Sequence, residues 1–123
     1  MDEDNFERGM EIRRKVLGDA HVDRAEANKT AFDAEFQRFI TEFAWGTVWS
    51  GRTLDIETRH LVTIALLAGL GKEKELAMHL RATANTGVSA EQVKEVLHHV
   101  AVYAGVPAAN SAIGIAKEVF GEQ

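Results

Sequence analysis

The sequence predicts an all-α protein of about six helices. Apolar residues recur at helical spacing along most of the chain, and capping residues and glycines divide it at regular intervals. No stretch shows the sustained apolar–polar alternation of a half-buried strand. With 123 residues, one proline and no recognisable linker or repeat, the chain is expected to form a single domain over residues 1–123.

The first half of the chain predicts two helices with a polar segment between them. The first helix, Asn5–Leu17, is expected to end near Gly18, and the polar residues 19–30 to form a loop with a helical turn. The second helix is expected to begin after Asp33 as its cap and to run to about Trp49, because its apolar residues follow helical spacing.

The next two helices are predicted from a cap and from glycines. Asp55 is the expected cap of a third helix over residues 56–70, which is apolar on most faces and therefore expected to be buried. A fourth helix is expected over residues 72–86, with Gly87 in the position that ends many helices in a left-handed conformation.

The last two helices also have local start signals. The sequence SAEQ, Ser89–Gln92, is a capping box and predicts a fifth helix that runs to Ala104 and stops at Gly105. Pro107 suits the first turn of a sixth helix, which is expected to end near Gly121.

Composition excludes several classes of function. The net charge is −5 and no basic cluster is present, so we expect no nucleic-acid partner. The absence of cysteine excludes disulfides, thiolate chemistry and cysteine-ligated metals, and agrees with the cytoplasmic location that we expect. The N-terminus is acidic, unlike a signal peptide, and the longest apolar run, residues 61–71, is too short to cross a bilayer.

Two stretches predict close helix packing, part of it between subunits. The run over residues 61–70 is strongly apolar, and residues 103–116 are rich in small side chains. On a monomer, this surface would leave a large exposed apolar patch, so we expect a homo-oligomer.

The pair Glu75 and His79 is the most informative polar feature. Its i,i+4 spacing places both side chains on one face of the fourth helix. Three interpretations are open: a partly buried histidine hydrogen-bonded to Glu75, a catalytic pair in which the carboxylate orients the ring, or a metal site completed by His98 or His99. The sequence contains neither HExxH nor the paired ExxH motifs of di-metal bundles, which disfavours the metal.

Other polar and aromatic residues are weaker candidates. His99 and Tyr103 are also spaced i,i+4, whereas His98 points about 100° away from His99, so we expect one core-facing and one solvent-facing histidine. The remaining candidates are one more histidine, three arginines and a tryptophan pair spaced i,i+4: His60, Arg52, Arg59, Arg81, Trp45 and Trp49.

Several segments, in their order and spacing, resemble the carboxymuconolactone decarboxylase family. The most specific are WGTVW, HLRAT followed by GVS, and HHVAVYAGVPAAN, and the resemblance covers residues 32–120. The wider superfamily includes alkylhydroperoxidase D, whose CxxC motif precedes a histidine by four residues. His79 matches that histidine, but Lys72 and Glu75 stand where the cysteines would be. Peroxidase activity by that mechanism is therefore excluded.

The resemblance implies a carboxy-lyase. The implied reaction is cofactor-free decarboxylation of 4-carboxymuconolactone to 3-oxoadipate enol-lactone, in the protocatechuate branch of the β-ketoadipate pathway. The implied partner is this small anionic lactone, and the implied assembly is a helical homo-oligomer, a hexamer or its dimeric or trimeric building block. The alternatives are a decarboxylase of another lactone or keto acid, and a non-catalytic domain that binds a small acid.

Residue roles follow from the resemblance and from the i,i+4 pairs. His79 is the expected proton or oxyanion donor, with Glu75 setting its tautomer and raising its pKa. One of the three arginines is expected to hold the spectator carboxylate. The expected catalytic residues are His79, Glu75 and His99, and the expected substrate-binding residues are Arg52, Arg59, Arg81, Tyr103 and Trp49.

Overall fold

The computed structural model describes residues 3–121, and every regular element in that range is helical, as the all-α prediction required. In chain order the elements are α1 (Glu3–Leu17), α2 (Asp19–Ala27), α3 (Ala34–Phe39), a π-helix (Ile40–Val48), α4 (Ile56–Gly69), α5 (Glu73–Thr86), α6 (Ala90–Tyr103) and α7 (Val106–Phe120). They fall into two compact units that divide between Asp55 and Ile56.

In the first unit, the polar segment after Gly18 is a helix and not the loop that the sequence predicted. Gly18 has a φ of 93°, which ends α1 and lets α2 begin at the next residue. Arg14 on α1 pairs with Asp19 and Asp23 on α2 at 3.0 and 2.9 Å, and Val22 is fully buried. A third ion pair joins Arg13 on α1 to Glu26 on α2 at 4.0 Å, so one buried side chain and three ion pairs anchor a helix that is otherwise polar.

The second predicted helix continues from α3 into nine residues of π-helix. This segment packs closely against α1: a Cβ atom added at Gly9 would overlap the carbonyl oxygen of Thr41, and one added at Gly46 would overlap that of Asn5. Asp33 occupies the N-cap position of α3 as predicted, but its side chain makes no capping hydrogen bond, and its carboxylate accepts from the backbone N–H of Thr30 at 2.8 Å instead.

The second unit, α4–α7, contains a continuous apolar core to which every helix contributes. The helix ends match the sequence signals: Gly87 ends α5 with a φ of 87°, and Ser89 and Gln92 form both hydrogen bonds of the capping box. The cap expected at Asp55 stays a prediction. The buried core residues are Ile64, Ala68, Leu76, Leu80, Val88, Val93, Leu97, Val100, Ala109 and Ala112.

Helix α4, which the sequence predicted to be buried, is only partly buried within one chain. One face carries buried Ile64 and Ala68, whereas Val62 and Leu66 on its other side, and Leu70 directly after its end, are 46, 58 and 67% exposed. Packing within one chain therefore leaves part of the apolar surface of this helix exposed. No helix within residues 3–121 has the length and apolar content needed to cross a membrane.

Candidate active site

The strongest polar feature of the second unit is a pair of buried histidines from neighbouring helices. Nδ1 of His79 lies 3.2 Å from Nε2 of His60, and the rings meet edge to face with their centroids 5.3 Å apart. His60 is 0% and His79 7% exposed. On the other side of His60, Nδ1 lies 2.7 Å from the hydroxyl oxygen of Thr86. These contacts form a chain from Thr86 through His60 to His79.

Helical spacing explains how both rings reach the interior. His60 begins the buried stripe of α4 that continues with Ile64 and Ala68, each four residues further on. His79 lies on the buried face of α5 between Leu76 and Leu80. The apolar packing of α4 against α5 therefore fixes the two imidazoles, and they form a polar group at the edge of the core.

Burial favours the neutral form of His60. Desolvation lowers the pKa of His60 below its ordinary value of 6.5, and the contact with His79 opposes this only in part. A neutral imidazole has one N–H donor and one nitrogen acceptor. In this form His60 donates to one of Thr86 and His79 and accepts from the other.

The hydrogen bond expected between Glu75 and His79 is not among those that residues 3–121 make. Glu75 is exposed in the first turn of α5, and Nδ1 of His79 is directed to His60 instead. The contact that orients the His79 ring thus comes from α4. A catalytic role for Glu75 stays a prediction.

The two histidines of α6 both lie on the surface, which corrects the expectation that one would face the core. Nδ1 of His98 donates to the backbone carbonyl of Lys94 at 2.8 Å. The ring of His99 packs on that of Tyr103 with a centroid distance of 4.9 Å, as their i,i+4 spacing predicted, and Tyr103 is 80% exposed.

His99 also lines an open cleft of about 380 Å³ between α4 and α6. Its lining is mixed, with the carboxylate of Glu95 beside apolar side chains, and it includes neither His79 nor Glu75. His99 and His79 are therefore in separate environments of this unit. The residues that line the cleft are Leu61, Gln92, Glu95, Val96 and His99.

The predicted carboxylate-binding arginines differ in their surroundings. Arg59 is half-buried and precedes His60 on α4. Arg81 is exposed on α5, two residues after His79 and hence about 200° around the helix from it. Arg52 is exposed in the first unit, where Trp49 stacks on Trp45 at a centroid distance of 4.8 Å. Their roles stay predictions.

A metal site requires several ligating side chains that lie close together in the fold. Within residues 3–121, no three histidine, aspartate or glutamate side chains come together as a ligand set. His98 and His99, the donors considered for such a site, both lie on the surface of α6.

Sequence reasoning assigned no role to His60 and overlooked Thr86. His60 could have been found from its i,i+4 spacing to Ile64 and Ala68, which places its imidazole on the buried face of α4. A buried polar ring requires a hydrogen-bond partner and is therefore a candidate for a site. Thr86 carried no comparable signal, since a threonine beside a helix-ending glycine is common.

The fold and the site define a cysteine-free helical protein whose buried imidazoles can hold or move a proton. Residues 34–118 match the model of the carboxymuconolactone decarboxylase family, a range that contains both histidines and every predicted site residue. The chain belongs to this family, whose resemblance the sequence motifs had indicated.

Individual relatives agree with this assignment. A 4-carboxymuconolactone decarboxylase of Acinetobacter baylyi is 50% identical over 97% of this chain and 89% of its own length. A nitrosuccinic acid decarboxylase of Metarhizium robertsii is 37% identical over 95% of this chain and 82% of its own length. A 4-carboxymuconolactone decarboxylase of Pseudomonas putida is 51% identical over 37% of this chain and 98% of its own length.

Proposed function

We propose that this protein is a carboxy-lyase that converts 4-carboxymuconolactone to 3-oxoadipate enol-lactone and CO₂. The observation that carries the proposal is the 50% identity, over nearly the whole chain, to a relative named for this activity. The buried His60–His79 pair supports it, because the reaction needs a proton donor shielded from water. The reaction would supply a step of protocatechuate catabolism.

The chemistry of the substrate defines what the protein has to provide. When the C–C bond to the departing carboxylate breaks, its electron pair passes through the ring double bond to the lactone carbonyl oxygen. CO₂ leaves, and the remaining charge is an enolate-like oxyanion. One proton must then reach the carbon beside that carbonyl. Stabilisation of the oxyanion and delivery of this proton are the two tasks of the site.

We assign the proton to His79. Nδ1 of this ring is engaged by His60, so Nε2 is the nitrogen that serves the substrate. As an imidazolium, His79 first directs its Nε2–H either to the developing oxyanion, as a hydrogen-bond donor, or to the carbon beside the lactone carbonyl. It then transfers this proton to carbon and becomes neutral, while the N–H at Nδ1 is retained. Solvent returns the proton after product release.

The remaining carboxylate of the substrate requires a cationic group at a distance from the departing one. A bidentate arginine suits it, whereas a tight ion pair with the departing carboxylate would stabilise the ground state and slow the reaction. Among the three candidates, we favour Arg59 because it is half-buried and adjacent to His60. Arg81 is the alternative within the same unit, and we assign His99 and Tyr103 to substrate contact and Glu75 to a supporting role. Roles for Arg52 and Trp49 stay predictions.

A second candidate substrate comes from the other well-covered relative, whose name specifies nitrosuccinic acid. Loss of CO₂ beside a nitro group also leaves a carbanion that is delocalised onto oxygen and then protonated on carbon. The two acids therefore make the same demands on His79. Because the identity to the 4-carboxymuconolactone decarboxylase is higher, we propose the lactone as the first candidate substrate.

The experiment that tests the proposal generates 4-carboxymuconolactone in situ from 3-carboxymuconate with a cycloisomerase. Purified protein is added with and without a chelator, and CO₂ and the enol-lactone are measured, with nitrosuccinate in a parallel reaction. The proposal predicts rapid turnover of the lactone that the chelator does not affect. Loss of turnover with the chelator would indicate a metal site, and turnover of nitrosuccinate alone would identify the second substrate. A folded protein inactive on both would indicate another acid or a binding domain.

We also propose that copies of this chain associate through α4. Val62, Leu66 and Leu70 form an exposed apolar stripe at i,i+4 spacing, the kind of surface that oligomers bury. Light scattering should give a multiple of the chain mass, and Leu66→Glu should lower it, whereas Ala84→Glu, at an exposed position of α5 outside both predicted packing stretches, should not. A wild-type monomer would contradict this proposal.

A further inference from the structure

The histidine pair has two possible hydrogen-bonding directions, and the proposed reaction is compatible with only one of them. Nε2 of His60 either accepts from Nδ1–H of His79 or donates to it, because one hydrogen lies between the two nitrogens 3.2 Å apart. The first direction places the hydrogen of neutral His60 on Nδ1, toward Thr86. The second places it on Nε2, toward His79.

A proton donor has to keep its hydrogen bonds in both protonation states. When His79 is an imidazolium, both of its nitrogens carry hydrogen, so a hydrogen on Nε2 of His60 would point at another N–H. When His79 has given up its Nε2 proton, Nδ1 still carries hydrogen. A neighbour that accepts in both states is therefore required, and His60 qualifies only as the Nδ1–H tautomer.

Thr86 provides the group that stabilises this tautomer. Its hydroxyl oxygen lies 2.7 Å from Nδ1 of His60, a short distance for such a hydrogen bond, and His60 is fully buried. A hydroxyl oxygen accepts as readily as it donates, so it can receive the hydrogen that His60 must carry on Nδ1. Loss of this short hydrogen bond would cost free energy and disfavour the tautomer with hydrogen on Nδ1.

We propose that His60 and Thr86 are positioning residues: Thr86 holds His60 as the Nδ1–H tautomer, and the Nε2 lone pair of His60 accepts from His79. This inference rests on the proposed function, in which His79 cycles a proton through Nε2. It assigns roles to two residues outside the predicted catalytic set. It also explains why a histidine occupies the buried stripe of α4, since an apolar side chain there would leave Nδ1–H of His79 without this acceptor.

The first test reads the tautomers directly in the resting wild-type protein. Long-range proton–nitrogen NMR correlations distinguish the two neutral forms of an imidazole, and the His60 signals are identified by their loss in His60→Gln. The inference predicts hydrogen on Nδ1 and a bare Nε2 for His60. Hydrogen on Nε2 of His60 would overturn it. Because no substrate is present, this result is independent of whether the proposed reaction occurs.

The second test separates positioning from a structural role. Thr86→Val keeps the side-chain shape but removes the acceptor. We expect kcat to fall by about tenfold to a hundredfold, which does not exceed the loss expected when a general acid is removed altogether, and KM to stay nearly unchanged. Thr86→Ser restores the hydroxyl and should restore both kcat and the His60 tautomer. Thr83→Val, a matched change on the same helix, should alter neither, because its hydroxyl donates to the carbonyl of Leu80.

His60 itself allows a comparable comparison. His60→Gln places an amide oxygen near the position of Nε2 and should retain more of kcat than His60→Leu, which offers no acceptor. Equal losses in the two variants, or Thr86→Val with wild-type kcat and tautomer, would overturn the inference.

Discussion

Nε2 of His60 lies 3.2 Å from Nδ1 of His79, although the two residues are 19 positions apart in the chain. This contact, and not the local i,i+4 pair of Glu75 and His79, determines how the candidate catalytic ring is held. It makes the packing of α4 on α5 a condition for the chemistry. The following predictions depend on this geometry and on the fold that supports it.

The burial of His60 predicts a specific dependence of stability on pH. Because desolvation lowers the pKa of His60 below its ordinary value of 6.5, the unfolded chain binds a proton at this ring more readily than the folded chain. The contribution of His60 to the free energy of unfolding is therefore fully present above about pH 6.5 and is lost as the pH falls below it.

Denaturant titrations between about pH 7 and about pH 5 measure this effect. His60→Gln should show a shallower loss of stability than the wild type over this range, whereas His98→Gln, which changes an exposed histidine, should follow the wild type. A His60→Gln profile parallel to that of the wild type would contradict the burial argument.

The exposed position of Glu75 predicts a small effect of its substitution on turnover. Glu75 shares a helix face with His79 by spacing but makes no hydrogen bond to it within the described residues, so its influence reduces to a solvent-screened charge. Glu75→Gln should lower kcat by less than about tenfold, since exposed charge pairs contribute about 0.2–1 kcal/mol.

Glu73→Gln is the matched control, because it removes an exposed carboxylate from the same first turn of α5. It should leave kcat unchanged. A loss in Glu75→Gln as large as that in a His79 variant would instead give Glu75 the direct catalytic role that the sequence suggested.

The close approach of α1 to the π-helix predicts that Gly9 tolerates no side chain. A Cβ atom there would overlap the carbonyl oxygen of Thr41, which is backbone and cannot move independently. Gly9→Ala should destabilise the fold by about 1–3 kcal/mol, the range for overpacked cores, as measured by denaturant unfolding.

Gly114→Ala on α7 is the matched control, and we expect it not to destabilise the fold in the same unfolding experiment. Nothing lies within 4 Å of a Cβ atom at Gly114, so the change should be neutral or stabilise by up to about 1 kcal/mol through helix propensity. A Gly9→Ala variant as stable as Gly114→Ala would show that the helices do not meet at Gly9 as described.

Local signals predicted much of the second unit. The capping box at Ser89 and Gln92, the left-handed Gly87 and the turn before Pro107 act over three or four residues, so the sequence is sufficient to predict where these helices begin and end. Helix α2 was not predicted because its composition is polar, and its anchors, which include buried Val22 and the ion pairs of Arg14 with Asp19 and Asp23, give no local pattern.

Other features depend on contacts between distant segments. The π-helix is packed against α1 through Gly46 and Gly9, a relationship that no local pattern of residues specifies. The same reason applies to the candidate site: His79 was predicted from the family resemblance, but its partner His60 is supplied by another helix. Sequence spacing favoured Glu75, the neighbour on the same helix, over the neighbour in space.

The central claim is that His79 delivers the proton, and the turnover of His79→Ala on 4-carboxymuconolactone tests it most directly. His98→Ala is the matched control, because His98 lies on the surface of α6 and binds the carbonyl of Lys94. With helix content unchanged in both variants, we predict that His79→Ala loses at least about 100-fold in kcat, as expected for a lost general acid, and that His98→Ala keeps wild-type turnover. Near-wild-type turnover in a folded His79→Ala protein would contradict the claim.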